Sequence, residues 1–324
     1  EFFQQAKTLL MLPDYFGFRL TGNKLSEYTN GSTTQLVNPD TFQWDKELIR
    51  KLGYPEDIFL PLQMPGTKVG QLLPEIQKEV GFDLEVVLCG SHDTASAVMA
   101  VPQTEGDGIY ISSGTWSLMG IESLKPVITE DAAAANFTNE GGYNHRFRFL
   151  KNIMGLWMIQ SVRHEYNDAY SFAQLCDMAE ESKEFPSRVD VNDQSFLSPD
   201  SMVEAIRQYC HKTGQPVPES VGELTSVVYR SLAQSYGETV RGLEKIAGKT
   251  YDSIHIIGGG SNAAYLNQLT ADATGKTVYA GPGEATAIGN LLAQMIHAGD
   301  LADLKSARKC VRESFEIKTF APAK

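Results

Sequence analysis

The chain has 324 residues, 42% of them apolar and 21% charged, with a formal net charge of -12. That length points to two domains around more than one core, and acids spread along the whole chain leave no basic face for nucleic acid or a membrane surface. No run is apolar enough to span a bilayer and no leader pattern opens the chain; Cys89, Cys176, Cys210 and Cys310 are scattered and the six histidines form no ligand pairs, which together read as a reduced, cytoplasmic protein without a zinc site.

The chain opens at Glu1, without methionine and inside an amphipathic run, which reads as a cut. Leu9, Leu10, Leu12, Tyr15 and Phe16 form an apolar helical face closed by Leu20-Thr21-Gly22-Asn23. Asp45 to Leu52 reads as a short helix stopped by Gly53. Val86 to Cys89 reads as a strand that turns through Gly90-Ser91-His92-Asp93 into a helix from Thr94 to Val101. After Pro102, Gly108 to Ser112, Thr115 to Ile121 and Arg146 to Lys151 read as strands, followed by a helix from Gly155 to Tyr166. The polar segment from Asn167 to Glu219 reads as an insertion, with Ser198 and Pro199 opening one of its helices.

From Ser220 the pattern strengthens. Ser220 and Glu223 form a capping box, and Leu224, Val228, Leu232, Tyr236, Val240 and Leu243 recur at helical spacing up to Gly248. A strand (Ile254 to Ile257), a helix (Ala263 to Thr274), a strand (Thr277 to Ala280) and a helix (Glu284 to His297) follow. Three strands followed by alternating helix and strand is the order of one actin-like ATPase domain, although many α/β folds alternate in this way.

Three loops could carry chemistry. Cys89 to Ala95 puts Asp93 between a strand end and a helix start, where a helix N-terminus favours an anion; the bland alternative is that Asp93 merely caps the helix. Ile111 to Ser117 surrounds Gly114 with small hydroxyl residues, so backbone amides could approach phosphate oxygens, or the segment is an ordinary hairpin. Gly258-Gly259-Gly260-Ser261-Asn262 lies between a strand and a helix, permitting close approach of a nucleotide, with Asn262 available as a cap. It lacks the dinucleotide fingerprint, and there is no phosphate-loop lysine motif.

Taken together and in this order, Gly90-Ser91-His92-Asp93-Thr94-Ala95-Ser96-Ala97 and Ser112-Ser113-Gly114-Thr115-Trp116-Ser117-Leu118-Met119-Gly120 resemble the catalytic and phosphate loops of the FGGY carbohydrate kinases. Asn139-Glu140-Gly141-Gly142, Leu150-Lys151-Asn152-Ile153-Met154-Gly155-Leu156-Trp157 and Gly258-Gly259-Gly260 with Leu266-Asn267-Gln268-Leu269 extend the likeness to nearly the whole chain. The His-Asp-Thr and Asn-Ile-Met-Gly motifs are similar to the branch that phosphorylates L-rhamnulose at O1. The resemblance implies an α/β, actin-like ATPase (ribonuclease H-like) fold with two lobes around a cleft. Residues 1–101 would be what remains of an incomplete N-terminal, sugar-binding lobe, and residues 102–324 the nucleotide-binding lobe.

It further implies that Asp93 is the general base, that His92, Asp93, Thr94 and Asn152 contact the sugar, and that Thr115, Gln160 and Gly259 contact ATP. ATP and Mg2+ would be the cofactors, and the sugar and ATP the partners, with no nucleic acid or membrane and no residue of this chain assigned to the metal. The family's early D-x-G-x-[ST] hairpin, which holds magnesium and phosphates, has no counterpart here, so this chain alone is expected to have little kinase activity. The alternatives are a xylulose or fuculose kinase of the same family, or a non-catalytic binding fragment.

Overall fold

The computed structural model describes residues 5–104 and 106–323. Glu1, where the sequence suggested a cut, lies outside them. The first hundred residues are built from short pieces. Helix α1 (Leu12–Thr21) ends at Gly22, as its turn residues predict. Its apolar face does not form a core: Leu12 is 67% and Phe16 58% exposed, whereas Asp14 on the other side is buried. Leu9 lies outside the helix and bridges to Phe59 as extended chain. Strands in this part pair only two at a time among the described residues, as in Ser26–Glu27 alongside Leu62–Gln63. Asp45 caps the helix Lys46–Lys51, accepting from the Leu48 amide.

The second part is organised by one sheet of seven strands: β1 (Ile109–Ser113), β2 (Trp116–Ser123), β3 (Thr138–Gly141), β4 (Phe147–Met154), β5 (Ser253–Ile257), β6 (Thr277–Ala280) and β7 (Lys318–Phe320). Their order across the sheet is β7-β6-β5-β1-β2-β4-β3. Strands β1, β5 and β6 run parallel, so their C-terminal ends share one edge, while β2, β3, β4 and β7 pair antiparallel. The sequence anticipated five of the seven. It missed β3 and β7, which are short and polar or exposed, and therefore carry no buried-strand signature.

Both sheet faces are covered, which explains why β1 and β5 are nearly continuous apolar runs. Ile109, Ile111, Met119, Ile121 and Phe149 face a core shared with the helix α3 (Val221–Ala247), whose Leu224, Val228, Leu232, Tyr236, Val240 and Leu243 are all buried. Tyr110, Leu150 and Ile257 face the opposite side, against the helices α2 (Asp93–Met99), α5 (Ala285–Ala298) and α6 (Leu304–Ser314). The predicted capping box of Ser220 and Glu223 is present.

Two caps differ from expectation. The helix Met202–Lys212 begins at Ser201, not at Ser198 and Pro199. The reason is tertiary: the Glu165 carboxylate, at the end of the helix Trp157–Glu165, accepts from Ser201 Oγ and from the Met202 and Val203 amides. Asn262 does not cap the helix α4 (Ala264–Thr274), because residues Gly259–Asn262 form a tight 3-10 turn before it and Ala263 holds the cap position. No helix among the described residues is long and apolar enough to cross a membrane.

Candidate active site

Asp93 is the first residue of α2, and the cap position belongs to His92, whose side chain makes no capping bond. The bland reading of Asp93 as a cap therefore does not hold. Its carboxylate accepts from the Thr94 amide at 2.5 Å and from Thr94 Oγ1 at 3.2 Å, and its side chain is 78% exposed. Among the described residues the strand ahead of α2, Glu85–Val87, pairs only with Lys68–Gln71 and lies outside the seven-stranded sheet, so it is the start of α2 that places Asp93. Helix α2 itself is held closely against α5. A Cβ on Gly289 would lie 1.8 Å from the Ser96 carbonyl oxygen, so only glycine permits this approach.

The loop ahead of Asp93 is fixed by a carboxylate 64 positions away in sequence. Glu27 is fully buried, and its oxygens accept from Ser91 N at 3.1 Å and Ser91 Oγ at 2.7 Å. They also accept from Thr29 N at 2.7 Å, Thr29 Oγ1 at 2.6 Å and Asn30 N at 3.0 Å. Thr29 Oγ1 in turn accepts from the His92 amide at 3.3 Å. Five donors offset part of the cost of burying this carboxylate, and the two from Ser91, with the His92 amide bonded to Thr29, clamp the loop directly before Asp93. Burial nevertheless pushes the Glu27 carboxyl above its ordinary range.

Asp14, which accepts from the Glu27 amide, is pushed up to about 6, first by burial and then by the neighbouring Glu27 charge, against hydrogen bonds that favour ionisation. Because the folded-state value lies above the unfolded 3.8, Asp14 favours folding most at low pH, and that contribution is lost as pH rises through about 6. Asp14→Asn keeps an acceptor for the Glu27 amide while removing the charge. It is expected to stabilise the chain above that pH, by on the order of 2 kcal/mol. The gain should vanish at or below the unfolded value. Urea midpoints measured across this range check it, and an unchanged or lowered midpoint at neutral pH would contradict it.

Thr33, His92, Asp93, Thr94, Ser112, Gly114, Thr115, Trp116, Leu118, Glu140 and Asn152 line one cleft of 450 Å³. Five of the residues singled out in the sequence thus meet: His92, Asp93 and Thr94 from the start of α2, Thr115 from the turn between β1 and β2, and Asn152 from β4. Asn152 stands opposite Leu118 in the β2–β4 register, which brings it to the same wall as the Thr115 turn. That turn is anchored by the helix start at residues 156–157, where the Leu156 and Trp157 amides donate to the carbonyls of Gly114 and Thr115.

Gln160 and Gly259 do not line this cleft. Gly259 lies at the adjoining strand-end edge, where Ile257 of β5 pairs in parallel with Ser112 of β1. The three glycines differ sharply there. Gly258 adopts φ +84°, and a Cβ on Gly260 would lie 1.9 Å from Ser113 Oγ, so the first and third shape the turn. Gly259 is exposed, and a Cβ on it would meet nothing within 4 Å. Leu156 packs against Gly260, and Gln160 follows one turn later on the same helix, its amide donating to the Leu156 carbonyl.

Models of the two halves of one family match this chain in order. The N-terminal domain of the FGGY family of carbohydrate kinases matches residues 1–100, and its C-terminal domain matches residues 109–298. The chain belongs to the FGGY family of carbohydrate kinases.

A rhamnulokinase from Halalkalibacterium halodurans is 52% identical over 323 residues, covering 100% of this chain and 69% of the relative. One from Oceanobacillus iheyensis is 49% identical, covering 99% of this chain and 68% of the relative. The chain thus spans about two thirds of the length of these FGGY relatives. Among solved structures, a ligand-bound xylulose kinase from Lactobacillus acidophilus superposes with a TM-score of 0.76 at 17% identity, over 99% of this chain and 64% of that one. A gluconate kinase from the same organism gives 0.76 at 18% identity, over 100% and 65%. These likenesses place the fold in the actin-like α/β class of the FGGY kinases.

Sequence reasoning missed Glu27, Thr29 and Arg148. Glu27 has local donors in Thr29 and Asn30, and Arg148 has Glu140 and Gly141 nearby, but their contacts with Ser91 and His92 join distant segments and no local pattern marks those.

Proposed function

We propose that the protein, at the full length of its relatives, transfers the γ-phosphoryl group of ATP to O1 of L-rhamnulose, giving L-rhamnulose 1-phosphate and ADP. The observation that carries this reading is the cleft in which the Asp93 carboxylate, fixed at a helix start, shares one wall system with Thr94, Asn152 and the Thr115 turn. Identity of 52% to a rhamnulokinase, against 17% to a xylulose kinase, supports the choice of sugar. Asp93 takes the proton from the attacking hydroxyl as its oxygen bonds to phosphorus and the bond to ADP breaks. Such transfer depends mainly on positioning and on stabilising charge at the phosphoryl oxygens. His92, Thr94 and Asn152 orient the sugar, Thr115 meets the phosphates, and Gln160 and Gly259 border the nucleotide.

Residues 1–101 form the sugar-binding part in this reading and residues 102–324 the nucleotide-binding part. The sugar and ATP are its partners, and its place is the cytoplasm. Magnesium is implied with ATP, but no group of three acidic, histidine or cysteine side chains among the described residues would hold it.

A site built to hydrogen-bond sugar hydroxyls rejects analogues that leave its polar groups unpaired. Coupled measurement of ADP release by the protein at the full length of its relatives, over a panel of ketoses, is expected to give L-rhamnulose a kcat/KM above that for xylulose and fuculose by roughly tenfold or more. A reversed order would move the protein to another branch of the family, and no release with any ketose would leave a binding role.

A further inference from the structure

Arg148 on β4 is fully buried, and it stands directly opposite Glu140 in the β3–β4 register. Side chains so paired point to the same sheet face. Its Nη2 lies 2.9 Å from Glu140 Oε2 and 3.2 Å from His92 Nδ1, while its Nε donates to the Gly141 carbonyl at 3.0 Å. A guanidinium has only donors and does not lose its proton. The His92 Nδ1 that meets it must therefore present a lone pair, and a neutral ring then carries its proton on Nε2.

We propose that Arg148, itself held by Glu140, locks His92 as the neutral Nε2–H tautomer, so that this histidine meets the bound ligand only as a hydrogen-bond donor. The ring lines the cleft, and Nε2, on the opposite edge from Nδ1, makes no hydrogen bond among the described residues. The matching ligand group is an acceptor oxygen, either a ketose carbonyl or a hydroxyl lone pair.

The charged groups facing the ring are Arg148 from β4, Glu140 from β3 and Asp93 from its own loop. Burial first, and Arg148 second, hold its pKa below the ordinary 6.5, outweighing the two carboxylates. Adding a proton would also place an N–H at Nδ1 against a guanidinium N–H. His92 so locked cannot accept a hydroxyl proton at Nε2, which leaves that role to Asp93. Only the ligand-facing part rests on the proposed sugar site; the tautomer itself does not.

Long-range proton–nitrogen correlation spectra of the chain labelled with 15N-histidine test this directly, with His92 assigned by loss of its signals in His92→Gln. The expected result at about pH 7.5, above the ordinary histidine value of 6.5, is a neutral ring with a pyridine-type Nδ1 and a pyrrole-type Nε2. A pyrrole-type Nδ1, or an imidazolium, would overturn the proposal. Arg148→Lys retains a donor, and should keep the tautomer. Arg148→Met should give a mixture of tautomers, and an unmixed Nε2–H ring in a folded Arg148→Met chain would count against the lock. If Arg148→Met fails to fold, the spectrum of the unsubstituted chain decides alone. These spectra need no substrate, so a negative ketose panel and a failed tautomer are separate results.

Discussion

In a protein extended to the length of its relatives, Asp93→Asn is expected to lower turnover by about 10² or more, the usual scale for a positioned base. The substitution is close to silent for the fold. Among the described residues the Asp93 carboxylate accepts hydrogen bonds from its neighbour Thr94, through the amide and the hydroxyl, and an asparagine oxygen can replace that acceptor, while the bond from Thr286 Oγ1 goes to the Asp93 backbone carbonyl and is untouched. The lost charge at the start of α2 costs about 0.3–1 kcal/mol of helix stability. The Glu27 clamp on Ser91 stays in place, so the loop keeps its position and the sugar its contacts. The loss should fall on kcat, with KM for sugar and for ATP little changed. Turnover within a few-fold of the unsubstituted protein would remove Asp93 from the role of base.

The glycine turn after β5 gives the second large effect, through a contrast between neighbours. Gly260→Val forces side-chain atoms into Ser113, whose Oγ lies 1.9 Å from the Cβ position, and overpacking of this kind typically costs about 1–3 kcal/mol or more. Gly259→Val meets open space, so thermal unfolding should be nearly unchanged. If nucleotide occupies that space, its affinity should fall by roughly tenfold or more, equivalent to about 1.4 kcal/mol, while sugar affinity holds. Calorimetry with ATP and with sugar checks both. Equal losses for the two ligands, or none for ATP, would place the nucleotide elsewhere.

Much of this architecture was legible because it is local. The period of Leu224 through Leu243 marks a helix with one buried stripe, and that helix covers the sheet. The apolar runs at 109–111 and 254–257 mark strands buried on both faces, and the glycines at 22, 248 and 275 end their helices. The candidate loops were legible for a related reason: small residues between a strand and a helix leave the backbone open to a ligand. Strands β3 and β7 were not, since one reads as a polar tetrapeptide and the other as exposed chain. They become strands only because β4 and β6 offer them an edge.

The sequence by itself determined the family, the alternation of strands and helices, and the identity of the loop that carries Asp93. Tertiary structure decided what holds that loop and which atom His92 shows to the cleft. Glu27 reaches across 64 positions to Ser91, and Arg148 across 56 to His92. A buried charge is tolerable only when donors or counter-charges converge on it, and for Glu27 the local Thr29 and Asn30 are completed by Ser91 from a distant segment. That convergence depends on the packing of distant elements, so it leaves no periodic trace in the chain.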